Sequence, residues 1–184
     1  MYKFFICILL IGSISQAKIQ TFYTDADAGN YGDTSYRDTT FGNTNTINLA
    51  TSNYKRGFFH FDVSGIPTGS TINSAQLKVY VTWKQYDDPN NYIVNIYRVT
   101  NEWDELYLTW NQRKNGINWN TSGGDYYSTP VCNSLVLGNS TGFKTIADGN
   151  NFIQLVQDWV YGSIPNYGVV VMHPGSAGDK NKCV

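Results

Sequence analysis

The sequence predicts an all-β fold, a jelly-roll β-sandwich with one short helix near the C-terminus, and three observations carry that prediction. The chain is rich in turn and strand formers, with 14 Tyr and 17 Gly among 184 residues, while glutamate occurs only at 102 and 105. Tyr and Thr suit pleated strands, and Gly and Asn suit the turns between them. Several short segments alternate apolar and polar residues with period two. Only one segment, 148–162, carries its apolar residues at helical spacing.

Each element follows from its local pattern. In "RGFFHFDV" (56–63), Phe59, Phe61 and Val63 share one face, and Phe58, His60 and Asp62 share the other. "GIPTGST" breaks that strand with Pro67 and Gly69. "INSAQLKVYVTW" (72–83) alternates again through Ala75, Leu77, Val79 and Val81. "YIVNIYRV" (92–99), "YLTW" (107–110) and "STPVCNSLVL" (128–137) read as further strands. In "DGNNFIQLVQDWVYG", Phe152, Leu155, Val156, Trp159 and Val160 form a helical stripe over about 150–161, with Asp148 as cap and Gly162 as stop. "YGVVVMH" (167–173) is continuously apolar, as a central strand would be. The polar stretch 23–46 reads as a long loop, and loops of that length are often functional.

The bulk numbers narrow the class. Residues 1–17 read as a secretory signal peptide: Lys3, the apolar run "FFICILLIGSIS", then the small residues of Ser15-Gln16-Ala17. That run is too short to span a bilayer comfortably. Residues 18–184 then form a single β-sandwich domain, destined to be secreted, with no membrane insertion expected. The formal net charge is −1 and basic runs are missing, which argues against nucleic acid as a partner. In an exported chain, Cys132 and Cys183 are candidates for a disulfide, with pairing outside the chain as the alternative. Sequons stand at Asn120 and Asn139.

Several patches occur in one order: "DTTFGNTNTINLA", "RGFFHFDVSGIPTGSTINSAQLKVYV", "YRVTNEWDELYLTWN", "INWNTSGGDYYSTPV" and "LVQDWVYGSIPNYGVVV". Together they resemble the DNRLRE domain, also classed as carbohydrate-binding module family 96. The resemblance implies a jelly-roll module of secreted or cell-surface proteins with polysaccharide as its partner. It also implies one more strand after "NYGVVV", expected either to be cut off by truncation or to come from another chain. An open sheet edge of that kind invites self-association, so a structural or adhesive surface domain is the alternative function.

The chemistry points to binding rather than turnover. Glu102, Asp104 and Glu105 crowd into four consecutive residues, a poor start for two carboxylates facing each other across a glycosidic bond. They read as turn residues, and no catalytic role is expected of them. His60 and His173 read as structural histidines. Trp110 and Trp159 read as core, Trp103 as half buried, and Trp83 as either core or surface. Trp119, Tyr126 and Tyr127 lie in an Asn/Gly-rich stretch and are the expected carbohydrate platform, with Arg113 nearby to bond hydroxyls. Lys55, Arg56, Arg98, Arg113 and Lys114 are the cations available to an acidic polymer. Asp25, Asp27, Asn30 and Asp33 offer hard oxygen ligands, so a structural calcium ion is the one cofactor considered.

Overall fold

A computed structural model describes residues 18–49, 54–82, 93–136 and 140–173. The signal peptide, Trp83, Asn139 and Cys183 lie outside the described residues. The strands in chain order are β1 (Ala26–Asn30), β2 (Arg56–His60), β3 (Leu77–Val81), β4 (Ile93–Arg98), β5 (Gln112–Lys114), β6 (Ile117–Asn118), β7 (Cys132–Val136), β8 (Gly142–Ala147) and β9 (Val169–Met172). One helix, α1 (Asn150–Tyr161), precedes β9. Among the described residues the fold is all-β with a single short helix near the C-terminus, as the patterning predicts.

Five strands form one antiparallel sheet in the order β1-β2-β9-β4-β7. Its middle strand is the apolar run "VVVM", buried at all four positions. A strand reads as continuously apolar when both of its faces are covered. Here they are.

On one face Val169, Val171, Ile96 and Val94 meet α1 through Phe152, Leu155 and Trp159, and meet the two-stranded β3–β8 sheet through Leu77, Ile146 and Ala147. This is the sandwich core. On the other face one row crosses four strands in register: Ala28 opposite Phe58, Phe58 opposite Val170, Val170 opposite Tyr97. Leu108 and Trp119 close over that row, with Trp103 and Tyr167 packed beside them. The alternation read in 56–63 is therefore right about faces, and each face has its own core.

The helix shows how backbone groups are finished at its ends. Gly162 sits at φ 71°, in the left-handed region. Its N–H donates to Trp159 O at 3.1 Å and that of Ser163 to Asp158 O at 3.0 Å, the paired bonds of a Schellman ending. The expected Asp148 cap is corrected: Gly149 holds the N-cap position and no side chain caps it. The Asp148 carbonyl instead accepts from the Cys132 thiol at 3.3 Å.

Two further expectations change. The 23–46 stretch is not wholly loop, since β1 lies inside it and pairs along the whole of β2. Nor is "YLTW" a strand. Tyr107 and Leu108 N–H groups both donate to the Asp104 carbonyl, and Thr109 Oγ1 accepts from the N–H groups of Asn111 and Gln112. Side chains and turns there satisfy the backbone that a ladder would have used.

Truncating Phe58, fully buried between Val170 and the stacked Trp119 ring, should cost about 3–5 kcal/mol as Phe58→Ala. Phe143→Ala, at a side chain 75% exposed, should stay within about 0.5 kcal/mol. Denaturant midpoints of the two variants measure the difference.

Candidate functional site

The four expected sugar-binding residues do not form one platform. Trp119 is 5% exposed, stacks on Phe58 at 5.5 Å, and donates its indole N–H to Thr109 O at 3.2 Å. It is core, not surface: directly after β6 its ring packs under the sheet. Arg113 donates from Nη1 to the Glu102 carbonyl at 2.8 Å and braces a turn. Tyr127, 55% exposed, lies beside the Arg98 guanidinium at 5.2 Å. Only Tyr126 joins a larger polar–aromatic group.

That group is built around Arg56, the first residue of β2. Strand alternation puts Arg56 on the same face as Phe58, one step beyond the buried row. Its guanidinium lies 4.6 Å from the Trp110 ring and 5.5 Å from the Tyr126 ring. Nη1 donates to the Gly123 carbonyl at 2.7 Å, and the buried Asn30 amide donates to the same oxygen at 3.2 Å. Burial pulls the guanidinium below its ordinary value, while Tyr126, Tyr54 and Tyr97 act in the other direction. It remains a cation, and among the described residues neither ion pair involves it. A desolvated cation against aromatic faces is a favourable arrangement in itself.

Tyr54 completes the rim. It is 42% exposed, leans on Trp110 at 5.8 Å, and holds φ 48°, a left-handed backbone that a bulky aromatic seldom adopts. Strain of that kind persists only where the surroundings fix it. Tyr126 in turn tilts on Tyr97 at 5.0 Å, whose hydroxyl accepts from the Asn95 amide at 3.1 Å. Arg56 was legible as a cation on an alternating strand. Trp110, Tyr126 and Tyr97 lie far from it in sequence, and no local pattern links them; Tyr54, two residues before it, was within reach of a local reading.

The "GGDY" motif explains how the rim is held. Gly123 and Gly124 have φ of 96° and 118°, and a side chain at Gly123 would collide with Arg56 and Trp110. At Gly124 it would collide with Phe58. Asp125, 9% exposed, fastens the loop: its carboxylate accepts from Asn101 Nδ2 at 2.7 Å and from the backbone N–H groups of Asn120 and Thr121 at 2.9 Å each.

The other acids are also occupied. Glu102 pairs with Lys114 at 2.6 Å, and that hydrogen bond and charge hold its carboxyl below the usual range. Asp104 accepts the Leu106 N–H at 2.9 Å. Glu105 lies in the turn that follows. These are turn-building roles.

The calcium ligand set is corrected. Asp25 Oδ1 lies 2.7 Å from His60 Nδ1, Asp27 accepts from the Thr24 hydroxyl at 3.0 Å, and Asp33 accepts the Ser35 N–H at 2.9 Å. Asn30 is fully buried on β1, where alternation sends it to the face opposite Asp27. Among the described residues no group of three acidic, His or Cys side chains could hold a metal. Cys132 is half buried, which raises its thiol; its proposed partner Cys183 lies outside the described residues. Asn120 is exposed, so its sequon is accessible.

Gly123→Ala should cost about 1–3 kcal/mol, from a left-handed backbone and the collision with Arg56 and Trp110 together. The check is urea unfolding followed by tryptophan fluorescence.

A comparison with curated proteins finds no match. A family model, the disaggregatase related repeat domain, matches residues 29–179. This corrects the resemblance to the DNRLRE domain. The patches that prompted it answer demands of this fold: "GGDY" packs under Arg56 and Phe58, and "EWDELYLTWN" winds through the Asp104 turn. Spanning most of the chain, the match shows that this protein belongs to the disaggregatase related repeat family.

Proposed function

We propose that the domain is an exported, non-catalytic module that holds polysaccharide, with the rim around Arg56 as its site. The single observation that carries this reading is the exposed Tyr54 and the half-buried Tyr126 set about one guanidinium, with the buried Trp110 ring as their support. Aromatic faces stack on the C–H face of a pyranose ring, and a guanidinium fork bonds its hydroxyls. Asn95 and Tyr97 extend the polar side of the rim. The engagement of Glu102, Asp104 and Asp125 in turns supports the non-catalytic part. The family's description as a repeat domain suits an accessory unit. No helix among the described residues is long and apolar enough to cross a membrane.

The second reading is a structural or adhesive surface domain assembling through protein contacts. It is favoured by Tyr80 and Phe143, 60% and 75% exposed, which meet edge to face at 5.0 Å on the β3–β8 sheet.

Shallow sites of the Arg56 kind bind weakly, so the expected affinity is about −4 to −7 kcal/mol, or roughly millimolar to ten micromolar. Affinity electrophoresis against neutral and acidic polysaccharides at low and high salt measures it. Tyr54→Ala should weaken binding about tenfold without lowering the melting temperature. A monomeric, folded sample retarded by none of these polymers sinks the proposal. The structural reading gains if copies then associate as concentration rises.

Glu105→Gln should leave the domain without any depolymerising activity to lose. A wild-type domain that cleaves a glycan, with Glu105→Gln inactive yet equally stable, would overturn the non-catalytic part.

A further inference from the structure

A second cation stands at the Arg56 end of the sandwich. Arg37 lies in the turn after β1, and its Nε donates to the Gly32 carbonyl at 2.9 Å. Gly32 in turn lies against Trp110: a Cβ there would meet Cη2 and Cζ2 of that ring, and Tyr54 Cβ, each at 3.0 Å. A Cβ at Gly123 would strike the same two Trp110 atoms and Arg56 Nη1. One edge of the Trp110 ring is therefore shared by the Arg56 contact and by the backbone that anchors Arg37. The Trp110 N–H donates to the Arg37 carbonyl at 3.0 Å, which ties the two segments together.

Neither cation has a carboxylate partner among the described residues, where the two ion pairs are His60–Asp25 and Lys114–Glu102. The acids of the neighbouring turns are engaged with other donors. Asp33 accepts from the Ser35 N–H at 2.9 Å, and Asp38 from the Asn111 amide at 2.8 Å. Asp125 accepts from Asn101 and from the backbone of Asn120 and Thr121. The groups around the Arg56 guanidinium, namely the Gly123 carbonyl and the Trp110 and Tyr126 rings, carry no charge. Stripping water from an ion without supplying an opposite charge costs free energy, which an anionic ligand would offset.

Both guanidinium groups are within a ligand's reach. Arg37 is exposed and Arg56 only partly buried. Nη1 of Arg56 is taken by Gly123, and none of its nitrogens is both sealed from water and unbonded. The net charge of the chain is −1, so no general field draws anions to the molecule. Any attraction must be local. Parallel guanidinium N–H groups match a carboxylate, and their charge suits a sulfate ester as well.

We propose that this rim selects an anionic sugar. A carboxylate or sulfate ester on one ring of the polymer lies against Arg56, Arg37 serves as the second cation, and Tyr54 and Tyr126 take the C–H face of the ring. The inference rests on the polysaccharide reading of the rim and names the class of polymer.

The test is a calorimetric titration of the whole chain with four polymers of matched length: a neutral glycan, its sulfated form, a polyuronate, and polyglutamate. At low salt the polyuronate or the sulfated glycan should bind about tenfold tighter than the neutral one, and the preference should shrink as salt rises. Preference for the polyuronate alone identifies a carboxylate site, and preference for both a site for either anion. Arg56→Gln should abolish the preference. If that variant does not fold, the exposed Arg37 decides: Arg37→Gln should cut the preference about threefold. Lys78→Gln, which removes the same charge from an exposed position on β3, should leave it unchanged. A neutral glycan bound as tightly as its charged counterparts overturns the inference and leaves the polysaccharide reading standing. Polyglutamate bound as tightly as the polyuronate also overturns it, because the sugar ring then contributes nothing. Equal losses in Arg37→Gln and Lys78→Gln trace the attraction to net charge and overturn it as well. Binding of none of the glycans removes both readings.

Discussion

The burial of β9 on both faces is the constraint on which the rest of this structure depends. Val169 and Val171 enter the core shared with α1 and the β3–β8 sheet, while Val170 and Met172 enter the core beneath Trp119. Each fully buried side chain of this size contributes about 1.5–3 kcal/mol. A strand with two apolar faces needs two covers. The helix and the small sheet form one. The other is the segment from 100 to 127, which has little regular structure.

That second cover sets the character of the candidate site. Irregular backbone over a sheet must find its own hydrogen-bond partners. Asp104, Thr109 and Asp125 supply them, which is why so many polar residues of this segment face inward. The Thr109 carbonyl receives the Trp119 indole, and the Gly123 carbonyl receives Arg56 and Asn30. Closing the core and placing the Arg56 rim are therefore one set of interactions. The loop that buries Phe58 also presents Trp110 and Tyr126 to the guanidinium.

The same coupling explains how a resemblance could point to the wrong family. Turn acids, paired glycines and an apolar central strand are what any chain needs to cover both faces of a sheet in this way. "FDVSGIP" contains the Asp62–Ser64 turn, and "NYGVVV" contains the strand between the two cores. Such patches report architecture faithfully and lineage poorly. A model matched over 29–179 weighs all positions together and assigns the chain to the disaggregatase related repeat family.

By itself the sequence determined what depends on near neighbours. Period-two alternation in 56–63 sorted Phe58 from Phe59, helical spacing located α1 from Asn150 to Tyr161, and the unbroken run "VVVM" announced the central strand. The core position of Trp159 was legible for the same reason, whereas Trp110 is buried without the strand from which its burial was read. Tertiary structure alone decided which aromatics face water. Trp119 sits in an Asn/Gly-rich stretch that looks exposed, yet its ring finds Phe58, 61 positions earlier in the chain, and is buried. Asn30 looked like a calcium ligand until β1 paired with β2 and turned its amide toward Gly123. Arg56, Trp110, Tyr126 and Tyr54 come from three separate segments. Contacts of that range depend on strand register and loop path, and local residue patterns carry no information about either.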